Sequence, residues 1–278
     1  MILFIIILVV VLMIVGFFYV KGSVGNILGG IATILLLLSM FGLIYHDNNH
    51  WGMKEVTKTR QTSIYSAAGT TQPFGMLLTQ AFGTDSGNYI LMYKAQANDS
   101  KTTVNFIGNV KMMDTSDKAA SSTLKSWISD EMSKNIVESS KKKANYQLVS
   151  NAKTAQLVTR TTTYQWDNNF AKFLFGIGGE SGELIKKEIT AKIPKDTWLV
   201  LTPEQAQQLQ KLAPEFEAKQ KAQVEAEIAA AKTPQEKQAI AKAAQEKQAQ
   251  MAALKTSDPD AYAKLMVSQM KTLLGIKD

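Results

Sequence analysis

The sequence has no cysteine, only two arginines and only two histidines among its 278 residues. Without cysteine the chain can form no disulfide, no thiolate metal site, no Cys nucleophile and no lipidated lipobox. Without an arginine cluster, a nucleic-acid interface is not expected. His46 and His50 both lie beside a long apolar segment, so a Ser-His-acid triad is not expected either.

Charge is almost absent from residues 1–50, where Lys21 and Asp47 are the only formally charged side chains. The segment 203–278 has 11 Lys and 10 acidic residues, and the net charge of the whole chain is +7, so residues 51–202 carry the remaining +6. A mildly basic segment that follows an apolar one suits anionic lipid headgroups or an anionic wall polymer.

Two apolar runs open the chain. Residues 1–20 include 16 that are Leu, Ile, Val or Phe, and as a helix they would be about 30 Å long, which is enough to cross a bilayer. Residues 27–45 form a second apolar run. We therefore predict a transmembrane hairpin in residues 1–50, with spans at 1–20 and 27–45. A cleaved signal peptide is the first alternative, but the run lacks a basic start and a small-residue cleavage site. A buried helix pair of a soluble core is the second.

Small residues recur in the second run. Gly25, Gly29 and Thr33 lie four positions apart, a spacing that lets two helices approach closely. We expect this face to pack against the first span of the same chain.

The orientation of the hairpin is predicted from the residues that flank it. Lys54, Lys58 and Arg60 follow the second span, and the positive-inside rule would place them in the cytoplasm. Against this, the N-terminus has no cationic side chain to retain it, and long domains translocate largely regardless of charge. We expect a cell-membrane protein with two spans whose residues 51–278 are extracytoplasmic.

Residues 51–202 are typical of a β-rich soluble domain. The segment 89–95 has a period of two, which predicts a half-buried strand whose one face carries Tyr89, Leu91, Tyr93 and Ala95 and whose other face carries Ile90, Met92 and Lys94. Turn-forming residues separate several further segments of this kind. We expect antiparallel meanders. Between the strands we predict a helix that covers one face of the sheet, because five apolar residues are spaced to share one helical face. They are Leu124, Trp127, Ile128, Met132 and Ile136. The predicted fold class is a membrane-anchored α+β protein.

Residues 203–278 are rich in Ala, Gln, Lys and Glu and predict a helical C-terminal extension. Thr-Pro and Asp-Pro pairs mark helix starts, and Pro214 is expected to break the first helix. The predicted helices span 203–213, 214–231, 234–255 and 259–275. The middle two are expected to be solvated arms, and the last, which is amphipathic, is expected to dock on the domain, on a partner or on the membrane surface.

Two patterns hint at chemistry. His46 and His50 are four residues apart and would share one helical face, so they could bind a metal. A polar cap at the membrane interface is the preferred interpretation, because a stable metal site usually needs three or four ligands and no third one is in sight. A second pattern is a weak internal repeat, in which 82–90 resembles 175–185. It would bring together the turn acids Asp85, Glu180 and Glu183. Solvated turn acids are the simpler interpretation, and we assign no catalytic, cofactor-binding or metal-binding residue.

A set of structural motifs resembles a known family. These motifs are 169–177 (Asn-Phe-x-Lys-Phe-Leu-Phe-Gly-Ile), Pro194, Trp198 and 201–206 (Leu-Thr-x-x-Gln-Ala). Together with the hairpin, they resemble an uncharacterised domain-of-unknown-function family of small two-span membrane proteins of lactic-acid bacteria. The resemblance covers about residues 1–210. It implies a Gram-positive cell membrane and brings no known activity or cofactor.

The sequence thus favours a membrane-anchored, non-enzymatic interaction protein of the cell envelope. Its expected partners are the lipid bilayer and either other envelope proteins or anionic wall polymers, with the oligomeric state left open. The alternative is an envelope enzyme or wall-polymer binder that uses the acids of the β-domain turns.

Overall fold

The computed structural model describes residues 1–70, 72–82, 87–100, 102–105, 112–113 and 141–276. The chain divides into two compact units. The first unit consists of Met1–Thr59 and Arg160–Lys187, and the second consists of Arg60–Thr159 and Glu188–Asp278. Strands β1 (Met53–Ser63), β7 (Gln156–Trp166) and β8 (Leu184–Pro194) contribute residues to both.

The first unit begins with a helical hairpin. Helix α1 (Ile2–Ile14) continues into a π-helical turn (Val15–Tyr19), and α2 spans Ser23–Asn49. The two helices approach so closely that a Cβ atom added at Gly16 would lie 2.6 Å from the backbone nitrogen of Gly29. The expected packing of small residues against the first helix is therefore confirmed.

Both helices of the hairpin are long and apolar enough to cross a membrane, with mean hydropathies of 3.3 and 2.5. Most of their large apolar side chains, such as Phe4, Phe18 and Phe41, are exposed within this chain. A helix pair of a soluble core would bury such side chains, so the exposure argues against that alternative.

The rest of the first unit consists of one end of β1, β7 and β8 and the segment between β7 and β8. That segment holds the short helix α3 (Asn169–Phe175), capped by the Asn168 side chain, and a 3₁₀ turn (Gly176–Gly178). The Thr57 and Thr162 hydroxyls, on β1 and β7, are linked by a hydrogen bond of 2.8 Å. With β6 (Lys142–Val149), these strands form a four-stranded sheet in the order β1-β7-β8-β6.

The second unit contains a five-stranded sheet in the order β5-β4-β3-β2-β9. Its strands are β2 (Gly75–Phe82), β3 (Asn88–Tyr93), β4 (Thr102–Asn105), β5 (Met112–Met113) and β9 (Trp198–Leu201). The first four pair antiparallel, but β2 and β9 are parallel. The expectation of a purely antiparallel domain was therefore wrong. Parallel pairing needs a long crossover, which the chain between β2 and β9 supplies.

Both faces of this sheet are buried. Ile90 and Met92 of β3 belong to one apolar cluster, while Leu91 and Tyr93 belong to another. The first cluster includes residues of the C-terminal helices, and the second includes residues of β7 and β8. The prediction that 89–95 is a half-buried strand was therefore wrong, because its nominally outward residues are also apolar and meet a second layer.

The C-terminal extension is helical, as predicted, in α4 (Pro203–Ala230), α5 (Pro234–Ser257) and α6 (Pro259–Leu274). Helix α6 packs on the sheet through Ala263, Val267 and Met270. Of the three predicted docking places for this helix, the domain itself is therefore confirmed.

Helix α4 runs unbroken through Pro214, which corrects the predicted break. A proline inside a helix costs about 3 kcal/mol through a lost hydrogen bond and a ring clash, and the packing of α4 on the sheet and on α5 opposes this cost. The predicted covering helix, around Leu124 to Ile136, lies outside the described residues.

Candidate functional site

The most enclosed ionisable side chain of the first unit is His46, in the last turn of α2. It is only 3% exposed and lies between two aromatic rings. Its ring stacks on Phe175 at a centroid distance of 4.1 Å and lies 5.6 Å from the ring of Trp166. Because the residues come from α2, α3 and β7, the imidazole joins the end of the hairpin to the rest of the unit.

Both nitrogens of this imidazole face oxygen atoms. Nδ1 lies 2.6 Å from the carbonyl oxygen of Trp51, and since a carbonyl oxygen can only accept, Nδ1 carries the hydrogen. Nε2 lies 2.9 Å from Oε2 of Glu180, although the angles between these two atoms fall outside hydrogen-bond geometry. The imidazole and the carboxyl group are therefore in close polar contact without a well-aligned hydrogen bond.

His50 occupies a different environment. It ends α2 in the left-handed conformation, with φ of 50°, and its ring stacks on Tyr164 at 3.9 Å. The two histidine rings thus stack on different aromatic residues, His46 on Phe175 and His50 on Tyr164. Over the part of the chain that the structure describes, no group of three or more His, Cys, Asp and Glu side chains is placed to hold a metal.

We call the group formed by His46, Trp51, Trp166, Phe175 and Glu180 the His46 cluster. A pocket of about 250 Å³ shares Trp51 and Phe175 with this cluster. Its lining is mostly apolar, with two polar residues of the β7–α3 turn. The lining residues are Trp51, Gly52, Met53, Asp167, Asn168, Phe170, Ala171, Leu174 and Phe175. Asn168 is engaged in capping α3, and Asp167 lies 3.6 Å from the Lys54 ammonium. The rest of the lining is apolar or glycine.

The turn acids predicted from the repeat are placed differently from one another. Glu180 is partly buried against His46, whereas Glu183 is exposed, and its backbone closes the turn through Glu180 and Tyr164. Asp85 lies outside the described residues. Phe82 ends strand β2, but Phe175 ends helix α3, so the resemblance between the two segments does not extend to their secondary structure.

Sequence reasoning missed the pairing of His46 with Glu180. It treated the histidine as a polar cap and the glutamate as a solvated turn acid. No local pattern could have linked them, because the two residues belong to distant parts of the chain. The one available signal was the aromatic composition of 164–175. A segment rich in aromatic residues favours burial of the side chains that it contacts.

A family model for the Domain of unknown function (DUF4811) matches residues 21–209. The chain therefore belongs to this family, and the resemblance predicted from the motifs is confirmed. The matched range contains every residue of the His46 cluster. No curated protein and no solved structure matches the chain.

Proposed function

We propose that this protein is a membrane-anchored, non-enzymatic interaction protein of the cell envelope. The α1–α2 hairpin would hold it in the cell membrane, and a helical arm, defined here as residues 214–257, would contact a partner protein. The soluble portion would lie outside the cytoplasm.

The observation that carries this proposal is the exposure of the helical arm. In α4 only Ala206 and Leu209 are buried, both before Pro214, and α5 has no buried residue in its 24. The side chains of the arm that are half-buried form a thin apolar stripe along α4 and α5. Since the arm adds nothing to the buried core, its long polar face is available for recognition.

Membrane anchoring is supported by the hairpin. Two adjacent helices that are apolar on their exposed surfaces are stable in lipid but not in water. If the chain is anchored, an alkaline carbonate wash of membranes should leave it in the pellet. Release into the supernatant would contradict the anchor.

Partner recognition by the arm is tested by photo-crosslinking in native membranes. A photoreactive amino acid replaces Gln238 or Gln245, both exposed on α5, and Asp196, exposed on the turn before β9, serves as the matched control. We expect adducts with the same envelope protein from both arm positions and not from Asp196. Equal adducts from all three positions, or none from the arm, would contradict the proposal.

A further inference from the structure

Helix α3 is apolar on two faces. Ala171 and Phe175 point inward and are buried, while Phe170, Phe173 and Ile177, at the spacing of a single helical face, are 68%, 55% and 58% exposed. Within Asn169–Phe175 only Asn169 and Lys172 are polar. Three large exposed apolar side chains within the eight residues of 170–177 are unusual on a surface that faces only water.

The position of α3 follows from its contacts within the first unit. The Met1 amino group donates a hydrogen bond of 2.9 Å to the carbonyl oxygen of Leu174. The ring of Phe175 makes an edge-to-face contact with Trp51 at 5.9 Å, and Trp51 in turn meets Tyr45 at 6.3 Å. Helix α3 therefore lies where α1 begins and α2 ends.

If the hairpin crosses a bilayer, as proposed above, that end of it lies at the height of the membrane interface. Helix α2 has 27 residues, so it is about 40 Å long, which exceeds the roughly 30 Å hydrocarbon core. Its last turns carry exposed Tyr45, and Trp51 follows them. Aromatic side chains of this kind are typical of the interface, and the contact between Phe175 and Trp51 holds α3 beside them.

We propose that α3 and the 3₁₀ turn after it form a third membrane contact, which lies in the interface of the bilayer that the hairpin spans. Phe170, Phe173 and Ile177 insert among the upper acyl chains, to the depth of about 5–10 Å that interfacial helices reach. Lys172 reaches the headgroups, as lysine side chains do at interfaces. This inference rests on the membrane anchoring proposed above.

The absence of native cysteine allows a direct test. Phe173→Cys and Ile177→Cys are labelled with an environment-sensitive fluorophore in the full chain, which is reconstituted in phosphatidylcholine–phosphatidylglycerol vesicles with and without brominated acyl chains. Phe41→Cys, exposed on the apolar surface of α2, is the positive control. Gln245→Cys, on α5, is the negative control, and near-ultraviolet circular dichroism checks that each variant is folded.

We expect bromine quenching at positions 41, 173 and 177 and none at 245. Quenching at 41 without quenching at 173 and 177 would overturn the inference while leaving the anchor intact. No quenching at 41 would overturn the anchor, and the inference with it. Iodide, a quencher dissolved in the water, separates the remaining cases. If the labels at 173 and 177 are quenched neither by bromine nor by iodide, a second copy of the chain covers the exposed face of α3. Shielding found only in native membranes would assign it to a protein partner.

Discussion

Nε2 of His46 lies 2.9 Å from Oε2 of Glu180, at a place where the imidazole is 3% exposed. The contact connects the last turn of α2 with the turn before β8. Because a carboxyl group is the neighbour that the structure places against this nitrogen, the pair is expected to hold the end of the hairpin against the strands of the first unit.

Glu180→Ala should therefore destabilise the first unit. The variant leaves a buried nitrogen without its acid, which costs about 1–3 kcal/mol in the free energy of unfolding. Glu180→Gln keeps a polar group there and should cost less. The measurement is chemical unfolding in detergent micelles, followed by tryptophan fluorescence, because Trp166 lies beside His46.

The matched control for this prediction is Glu217→Ala, at an exposed position of α4. A surface substitution of this kind should change the free energy of unfolding by less than about 0.5 kcal/mol. If Glu180→Ala were as mild as Glu217→Ala, the His46–Glu180 contact would have no structural role.

Gly16→Ala should loosen the hairpin, because its added methyl group would collide with the Gly29 backbone. Overpacking of this kind typically costs about 1–3 kcal/mol. Gly30→Ala is the matched control, since a Cβ atom there has nothing within 4 Å, and alanine favours helix by about 0.5–1 kcal/mol. The helical signal during titration with a denaturing detergent measures both. A Gly30→Ala loss as large as that of Gly16→Ala would refute the close approach.

Leu209→Ala should destabilise the second unit by about 2–5 kcal/mol, because Leu209 belongs to the apolar cluster between α4 and the sheet. Leu265→Ala, the same substitution at an exposed position of α6, should be close to neutral. Urea unfolding of the two variants distinguishes a docked helix from a detached extension. Equal, small effects would mean that α4 does not stabilise the sheet.

The hairpin, the strands near 156–166, 184–194 and 198–201 and three helix starts could be predicted because each depends on local sequence. The segment 170–177, which was expected to be a strand, is mostly helix α3. A long charge-free apolar run predicts a helix that is long enough to cross a bilayer, and Thr202 and Thr233 cap their helices through neighbouring residues. The His46 cluster could not be predicted in this way. Its members come from α2, β7, α3 and the turn before β8, and only the three-dimensional fold brings them together.

The errors have a common cause in long-range packing. Pro214 was expected to end a helix on local grounds, but α4 packs on the sheet and on α5. Gly75 gave no local sign of a parallel neighbour, although its missing side chain leaves room for the ring of Trp198. Contacts between distant segments therefore decided both features.

Burial raises the pKa of Tyr146 above its ordinary value of 10.0, and the neighbouring Tyr89 phenol adds a second, smaller contribution. The folded state thus holds this proton more tightly than the unfolded state. The resulting stabilisation is complete below the unfolded pKa and is lost as the pH rises through the folded pKa.

Tyr146→Phe should therefore flatten the decline in stability above about pH 10. Tyr89→Phe should flatten it less, because burial, the larger cause, remains. Urea unfolding at several alkaline pH values measures the slope for each variant. An unchanged slope in Tyr146→Phe would show that this phenol does not contribute to the decline.

The last prediction concerns the side of the membrane on which the soluble portion lies. The Met1 amino group bonds to the carbonyl oxygen of Leu174, so the N-terminus and the soluble part of the first unit share one end of the hairpin. The turn between the helices carries Lys21 and no acidic residue, which suits a cytoplasmic hairpin tip. The cations after α2 oppose this orientation, but long domains translocate largely regardless of charge. We therefore expect residues 51–278 outside and Lys21 inside.

Single cysteines in the cysteine-free chain test this topology and leave Lys21 in place. Ser23→Cys lies at the start of α2, and Gln238→Cys lies on α5; both positions are exposed. In intact protoplasts of a Gram-positive host, a membrane-impermeant maleimide should label Gln238→Cys at once and Ser23→Cys only after permeabilisation. The reverse pattern would place the soluble portion in the cytoplasm. It would also remove envelope proteins and wall polymers from the possible partners, because a cytoplasmic arm cannot reach them.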